Sequence, residues 1–407
     1  MPIVAVVMTR LPGGEIHLAA LGALVYPLSL LIEAPIIMLL AASTALSRDR
    51  AAHARLLRFT HLAGALLTLV HVAVAFTPVF DWIARDLLGV PPAIVEPGRL
   101  GMRILTPWTW AIAYRRFQQG ALIRCERSDL VAKGTLIRLV TNVATLALGL
   151  AVGGWPGIVV GTAGIACGVT AEALWAGFCF RTAARDRLPQ HSTEPPLPWR
   201  AFAAFYLPLA FTPLMTILIQ PIGSWAMSRL ERPLPSLAAW PAVYGLVFLT
   251  RSVGFAYNEV VVTLAGAPGG IDALRRFGWR IGAVTTAVLL LLATTPVGAW
   301  WFGSLSGLSP ELTALAAASL PFALPMPALA VAQNLHQGVL VQLRRTRAIT
   351  EAVALHLVVC TALLVAAIGL APRLPGIQVV LLAFGLAGGA QTAWLAWRRR
   401  PRRAAAG

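Results

Sequence analysis

The chain has 407 residues, of which 58% are hydrophobic and 12% charged, and its mean hydropathy is +0.75. Soluble domains are about a quarter charged, so this composition excludes an ordinary soluble protein and implies a polytopic membrane protein. The formal charge of +17 does not signal a nucleic-acid partner, because the basic residues gather in alternate connections between apolar segments.

A bilayer core of about 30 Å takes about 20 apolar residues per helix. That ruler places spans near 16 to 43, 54 to 80, 98 to 124, 130 to 152, 156 to 180, 201 to 228, 236 to 264, 277 to 302, 312 to 342, 349 to 371 and 375 to 397. Before them stands MPIVAVVM, too short to cross and without the basic leader and longer apolar stretch of a signal peptide. It reads as the outward end of a first, truncated helix, giving about twelve helices if an upstream portion exists. The stretch RDRLPQHSTEPPLPW at 185–199 is a polar, proline-rich linker. The predicted organisation is a lobe over 1–184, that linker, a second lobe over 200–397 and a basic tail over 398–407.

Arginine orients the bundle, since short Arg-rich loops stay in the cytoplasm. Arg48, Arg50 and Arg55, then Arg124, Arg127 and Lys133, then Arg181, Arg185 and Arg187 fall on one side. Arg275 and Arg276, Arg344, Arg345 and Arg347, and the tail from Arg398 to Arg403 join them. The alternating connections carry Asp81, Asp86 and Glu96, or Glu311, or the uncharged Gly153 to Pro156. The expectation is a multi-pass protein of the inner membrane with a cytoplasmic C-terminus.

An internal repeat is the strongest signal. With Arg58 laid on Arg276, an ungapped register from Leu56 to Leu146 also matches Phe59 with Phe277, Gly64 with Gly282, Thr77 with Thr295, Pro78 with Pro296 and Trp82 with Trp300. Gly89 with Gly307, Pro107 with Pro325, Gln119 with Gln337, Gly120 with Gly338 and Arg127 with Arg345 continue it. One residue of slip brings MTRLPGGEIHLAA (8–20) onto MSRLERPLPSLAA (227–239). Two halves of six helices each run parallel, an architecture for alternating access around a central cleft. The predicted fold is therefore an all-α integral membrane protein built from two parallel six-helix repeats.

The segment FQQGALIRCERSDLVAKGTLIRLVTNVATLALGL (117–150) resembles the multidrug and toxin extrusion (MATE) pattern, in which a helix ends in an aromatic, a glycine and a basic turn. LHQGVLVQLRRTRAITEAVALHLVVCTALLV, from Leu335, repeats it, and the stretches Arg10 to Ala20 and Arg229 to Ala239 resemble the family's first and seventh helix endings. The pattern extends to the wider MOP flippase superfamily, with its lipid-linked saccharide flippases and progressive ankylosis transporters. The EAP turn in the second helix and the twelve-helix count fit the ankylosis-like branch. The resemblance implies export of a small organic solute, usually coupled to a cation gradient. Many members carry an acidic coupling residue in the first helix, which is truncated here, and no aspartate lies within any assigned span.

Ionisable groups within spans are site candidates because their insertion is costly, about 2.5 to 3.5 kcal/mol at a helix centre. Glu33 in LLIEAP, flanked by Pro27 and Pro35, is the first, since prolines free carbonyls that can join a proton or cation site. The alternative is a structural ion pair. Tyr244, Arg251 and Asn258 recur every seven residues with Glu259 beside the last, a polar face suited to a cavity wall. Arg251 either contacts substrate, gates against Glu33 across the lobes, or simply neutralises Glu33 or Glu259. Arg115, Arg116 and Gln119, with Arg138 and Asn142, are expected nearer the inner side with guanidiniums snorkelling to headgroups; facing the cleft instead, they favour an anionic substrate. Gln337 and His356 take the places of Gln119 and Arg138 in the second half. Glu172 and Glu351 read as loop partners for arginines, His61, His71 and His336 as ordinary buried or interfacial histidines, and Trp108, Trp110, Trp300 and Trp301 as an interfacial belt in preference to a lining of the outer mouth.

Cys125, Cys167, Cys179 and Cys360 lack CxxC spacing, so neither a disulfide framework nor a metal site is indicated. No P-loop, HExxH or GxSxG motif occurs, and no enzyme activity is expected. The first reading is a secondary active efflux transporter, H+ or Na+ coupled and without a cofactor, acting as a monomer whose partners are the bilayer and a small organic solute. The alternatives are a flippase for a lipid-linked saccharide or other anionic lipid, and a noncatalytic scaffold.

Overall fold

The computed structural model describes residues 2–190, 198–266, 268–343, 345–370 and 373–399, without the side chains at 2, 183–185, 201, 204, 208, 209, 212, 259 and 263. The middle of the expected linker, Arg344, most of the basic tail and the side chain of Glu259 thus lie outside the described residues.

Where the sequence predicted a first span, the chain forms α2 (Gly14–Ala20), a π-helical turn Leu21–Val25, α3 (Tyr26–Glu33), a 3-10 turn Ala34–Ile36 and α4 (Leu39–Leu46). α1 (Pro2–Met8) precedes them. The break after Glu33 follows from Pro35, which has no N–H and cannot donate into the helical ladder. Then come α5 (Arg50–Phe76), a short α6 (Val79–Asp81), α7 (Val95–Arg124), α8 (Ser128–Val152), α9 (Gly157–Cys179) and α10 (Trp199–Met227). The second half comprises α11 (Pro233–Leu264), α12 (Gly270–Thr294), a short α13 (Pro296–Trp300), α14 (Pro310–Ser319), α15 (Pro325–Gln342), α16 (Arg347–Leu370) and α17 (Gly376–Arg399). Among the described residues, eight helices or broken helices are long and apolar enough to span a membrane, and a ninth if α14 and α15 count as one span bent by 41°. α7 carries Arg99, Arg103, Arg115 and Arg116 between its ends, charges that make it less apolar without shortening it.

The repeat is visible element by element. α8 and α16 begin at Ser128 and Arg347, α9 and α17 at Gly157 and Gly376, and α7 and α15 end at Arg124 and Gln342. Thr77 and Thr295 end their helices in the same extended conformation, φ −115° ψ 170° and φ −117° ψ 163°. Each precedes a proline, whose ring disfavours the helical region for the residue before it. Asp49 caps α5, its carboxylate accepting from the Ala52 amide at 2.7 Å.

The described residues divide into two compact units, one over Ile3–Pro221 and the other from Ile222 onward. The division falls inside α10 and not at the 185–199 linker, because the first part of α10 is held by the first unit. Phe202 and Tyr206 pack on Phe59, with ring centres 4.8 and 5.5 Å apart, and the Tyr206 hydroxyl donates to the Pro35 carbonyl at 2.5 Å. The start of the linker docks on the same unit. Leu188 is buried among Leu122, Cys125, Leu130 and Phe180, and Asp186 pairs with Arg50 at 2.8 Å.

Within the first unit, α7 packs on α5, α9, α4 and α3. A β-carbon at Gly120 would lie 2.3 Å from the Leu40 carbonyl oxygen, and one at Gly101 2.8 Å from Val25, so these glycines set how closely the helices approach. Outside the spans, Asp81 accepts a hydrogen bond from Arg99, which holds its carboxyl below the usual carboxylate range.

Candidate functional site

The first unit carries a charged node inside its helix bundle. Arg115 and Gln119 stand one turn apart on α7 and therefore share a face, while Thr135 and Arg138 stand on α8 and Glu172 on α9. The Glu172 carboxylate is 1% exposed. One oxygen accepts from Arg115 Nη1 at 2.8 Å and lies 3.5 Å from Arg138 Nη1. The other accepts from Gln119 Nε2 at 2.9 Å and Thr135 Oγ1 at 3.4 Å. Small residues make the closeness possible: a β-carbon at Gly168 would come within 3.0 Å of the Arg138 carbonyl and 3.3 Å of Asn142 Cβ. Asn142 thus serves as a packing surface against α9.

These positions correct the expected snorkelling of Arg115 and the reading of Glu172 as a loop partner. The Arg115 side chain is 7% exposed, and Glu172 is bound by residues of two neighbouring helices. Reaching for headgroups would leave a carboxylate buried alone, which costs far more than pairing it. Arg138, at 40% exposed, keeps contact with both environments. Glu351 does sit with arginines at a helix end, 3.3 Å from Arg347 and 3.0 Å from Arg398.

Glu33 ends α3 at the helix break and is 1% exposed. Its Oε1 is buried with no hydrogen-bond partner. The cations whose charge bears on it are Arg115 and Arg116 of its own unit, and Arg116 in turn feels Glu172 and Arg138. Three guanidiniums, Arg115, Arg116 and Arg138, thus share one electrostatic neighbourhood with two carboxylates, Glu33 and Glu172.

The second unit places neutral side chains at the corresponding positions. Gln333 stands where Arg115 does, His356 where Arg138 does, and Gln391 where Glu172 does in the one-residue-shifted register of α9 and α17. Gln333 Nε2 donates to the Gly388 carbonyl at 3.0 Å, and His356 hydrogen-bonds with Gln391. The Arg251 charge bears on His356, and its Nε is buried without a partner. Asn258 Nδ2 donates to the Asn334 carbonyl at 3.1 Å, which ties α11 to α15. Tyr244 stacks on Trp240 with ring centres 4.9 Å apart. Gln337 lies on α15, partly buried, one turn from Gln333.

Glu172 is the residue that sequence reading undervalued. Its position near a span end suggested the interface, yet the signal was present: Gly161, Gly164 and Gly168 precede it on α9, and such small residues mark a face in close contact with neighbours. The aromatic belt also needs correction. Trp108 is buried and stacks on Tyr26 at 6.3 Å, while Trp110 stacks on Tyr114 and His61 at 5.2 and 5.6 Å. Trp300, 55% exposed, keeps an outward place. His71 is an ordinary buried histidine, its Nδ1 and Nε2 each 2.9 Å from Thr109 Oγ1 and the Met102 carbonyl.

The sequence matches no family model and no curated protein. The fold does match solved structures. An inward-facing multidrug resistance MATE family transporter of the MOP superfamily is similar at a TM-score of 0.78 and 12% identity, over 98% of this chain and 93% of the other. Lipid II flippase MurJ in an inward closed conformation is similar at 0.69 and 12% identity, over 98% and 84%. A MOP superfamily transporter from Pyrococcus furiosus, described as having a binding pocket of reverse polarity, gives 0.61 and 14%, over 98% and 94%. The chain is an integral membrane protein whose fold is similar to that of these transporter and flippase structures.

Proposed function

We propose that the protein is a secondary active transporter exporting a small organic solute by alternating access of its two six-helix repeats, with Glu33 exchanging a proton or sodium ion. The observation that carries this reading is the Glu33 carboxylate, buried at a helix break with one oxygen unpartnered. An unmet acceptor in such a place is costly, and intramembrane carboxylates of this kind serve ion and proton pathways. The Arg115 and Arg116 guanidiniums bear on the same carboxylate, so a rearrangement of these arginines would change the field in which it holds a cation. The fold neighbours, transporters and a flippase, support the same class. We further propose an inner-membrane location, a cytoplasmic C-terminus and a monomeric state.

The test is uptake in proteoliposomes under an imposed pH or sodium gradient, with a fluorescent organic cation and a fluorescent carboxylate as probes. Glu33→Gln should abolish gradient-driven movement of whichever probe is carried while leaving the detergent melting profile unchanged. Transport by the variant at the wild-type rate and with the same pH dependence would reject the coupling role. The surplus guanidinium of the first unit favours a second reading, a flippase for an anionic lipid. Scrambling of a fluorescent phosphate lipid, measured by dithionite quenching, separates it from solute export, and inactivity in both assays would point to a scaffold.

A further inference from the structure

At one end of the second unit, where α11, α15 and α17 finish and α12 begins, lies an open cavity of ≈ 530 Å³. Ala265, Ile271, Val339 and Leu343 make an apolar wall, and the polar groups are Gln342 and Arg399. That volume falls within the about 300–1,000 Å³ usual for small-molecule sites, which pair apolar linings with few polar anchors.

Arg399 is the informative residue. A cation in the last turn of α17 offsets the helix dipole, but that role does not require its Nη1 to be buried without a hydrogen-bond partner, as it is. Glu351, the acid at this end of α16, is held by Arg347 and Arg398, and no ion pair to Arg399 occurs among the described residues. His336 on α15 is near enough to feel the Arg399 charge, and its Nδ1 is also buried and unpartnered. The unmet Arg399 Nη1 in the wall of an apolar cavity calls for an acceptor with an apolar body. At the rim, Ile271 is 39% and Leu343 50% exposed, so the apolar wall continues onto the outer surface of the unit.

We infer that this cavity binds an anionic phospholipid, its phosphodiester accepting from Arg399 and an acyl chain lying along Ile271 and Leu343. Basic pockets between helix ends at a membrane surface recognise anionic headgroups in this way, and the exposed Arg275 and Arg276 of α12 add to the local positive field. The inference is independent of the transport reading, since none of these residues belongs to the Glu33 or Glu172 node.

The experiment is native mass spectrometry of the purified full chain with phosphatidylglycerol, phosphatidylcholine of the same acyl chains, or inorganic phosphate. The wild type should retain phosphatidylglycerol about tenfold more tightly than phosphatidylcholine, the factor expected for one charge-assisted contact. Arg399→Gln should remove the preference, and Ile271→Trp, which fills the rim, should weaken both lipids with the fold retained. Equal binding of the two lipids by the wild type, or an unchanged preference in Arg399→Gln, would overturn the proposal. So would competition by millimolar inorganic phosphate that displaces the lipid completely, which would mark a site for a free anion.

Discussion

Glu172 gathers four polar partners from two neighbouring helices, and its removal exposes what the node costs. Taking away one partner of a buried ion pair typically costs about 3–5 kcal/mol, because the remaining charge is left without compensation, whereas replacing both partners is often close to neutral. Glu172→Gln should therefore lower the melting temperature in detergent sharply. The second unit carries the neutral Gln333 and Gln391 at the corresponding positions, and Arg115→Gln combined with Glu172→Gln, which removes both charges, should recover most of the lost stability. Thermal unfolding of the single and double variants in one detergent checks this. A double variant no more stable than Glu172→Gln would mean that Arg115 and Glu172 are not each other's main partners.

Among the elements, paired glycines of the repeat differ in what they face. Gly120 and Gly338 were matched by sequence alone, and both lie where a neighbouring helix crosses. A β-carbon at Gly120 meets the Leu40 carbonyl oxygen at 2.3 Å, backbone that cannot step aside, whereas one at Gly338 meets the Val261 side chain, Cγ1 at 2.6 Å and Cβ at 2.8 Å, with the nearest backbone atom, the Asn258 carbonyl oxygen, at 3.3 Å. Gly120→Ala should accordingly cost about 1–3 kcal/mol, the usual range for overpacking, and Gly338→Ala should cost less. Melting temperatures of the two variants supply the comparison, and equal losses would show that backbone contact is not what separates them. The matched prolines teach a related lesson about legibility. Pro107 lies inside an unbroken α7, but at Pro325 the chain breaks between α14 and α15. Pro321 and Pro327 stand close by in the second half, each removing a further ladder donor, so the 41° bend comes from accumulated loss that a single matched proline does not reveal.

For the whole molecule, apolar length and the repeat sufficed to place the helices, because a bilayer imposes one length scale and duplication imposes one register. They did not locate the buried ion pair, since whether a guanidinium reaches headgroups or a carboxylate depends on which faces of α7, α8 and α9 meet, and composition is silent on that. Orientation rests on the arginine pattern, a property of the loops and not of the packed core. It yields a prediction independent of any site. In a variant lacking Cys125, Cys167, Cys179 and Cys360, all free in the native chain, single cysteines would be placed at Trp155 and at Arg276, both exposed positions. Trp155 lies in the uncharged turn between α8 and α9, and Arg276 lies in the first turns of α12 within a basic stretch. In intact cells a membrane-impermeant maleimide should label the cysteine at 155 and spare the one at 276 until the membrane is permeabilised. Labelling of the reverse pattern would invert the bundle and, with it, the direction in which a solute bound beside Glu33 is carried.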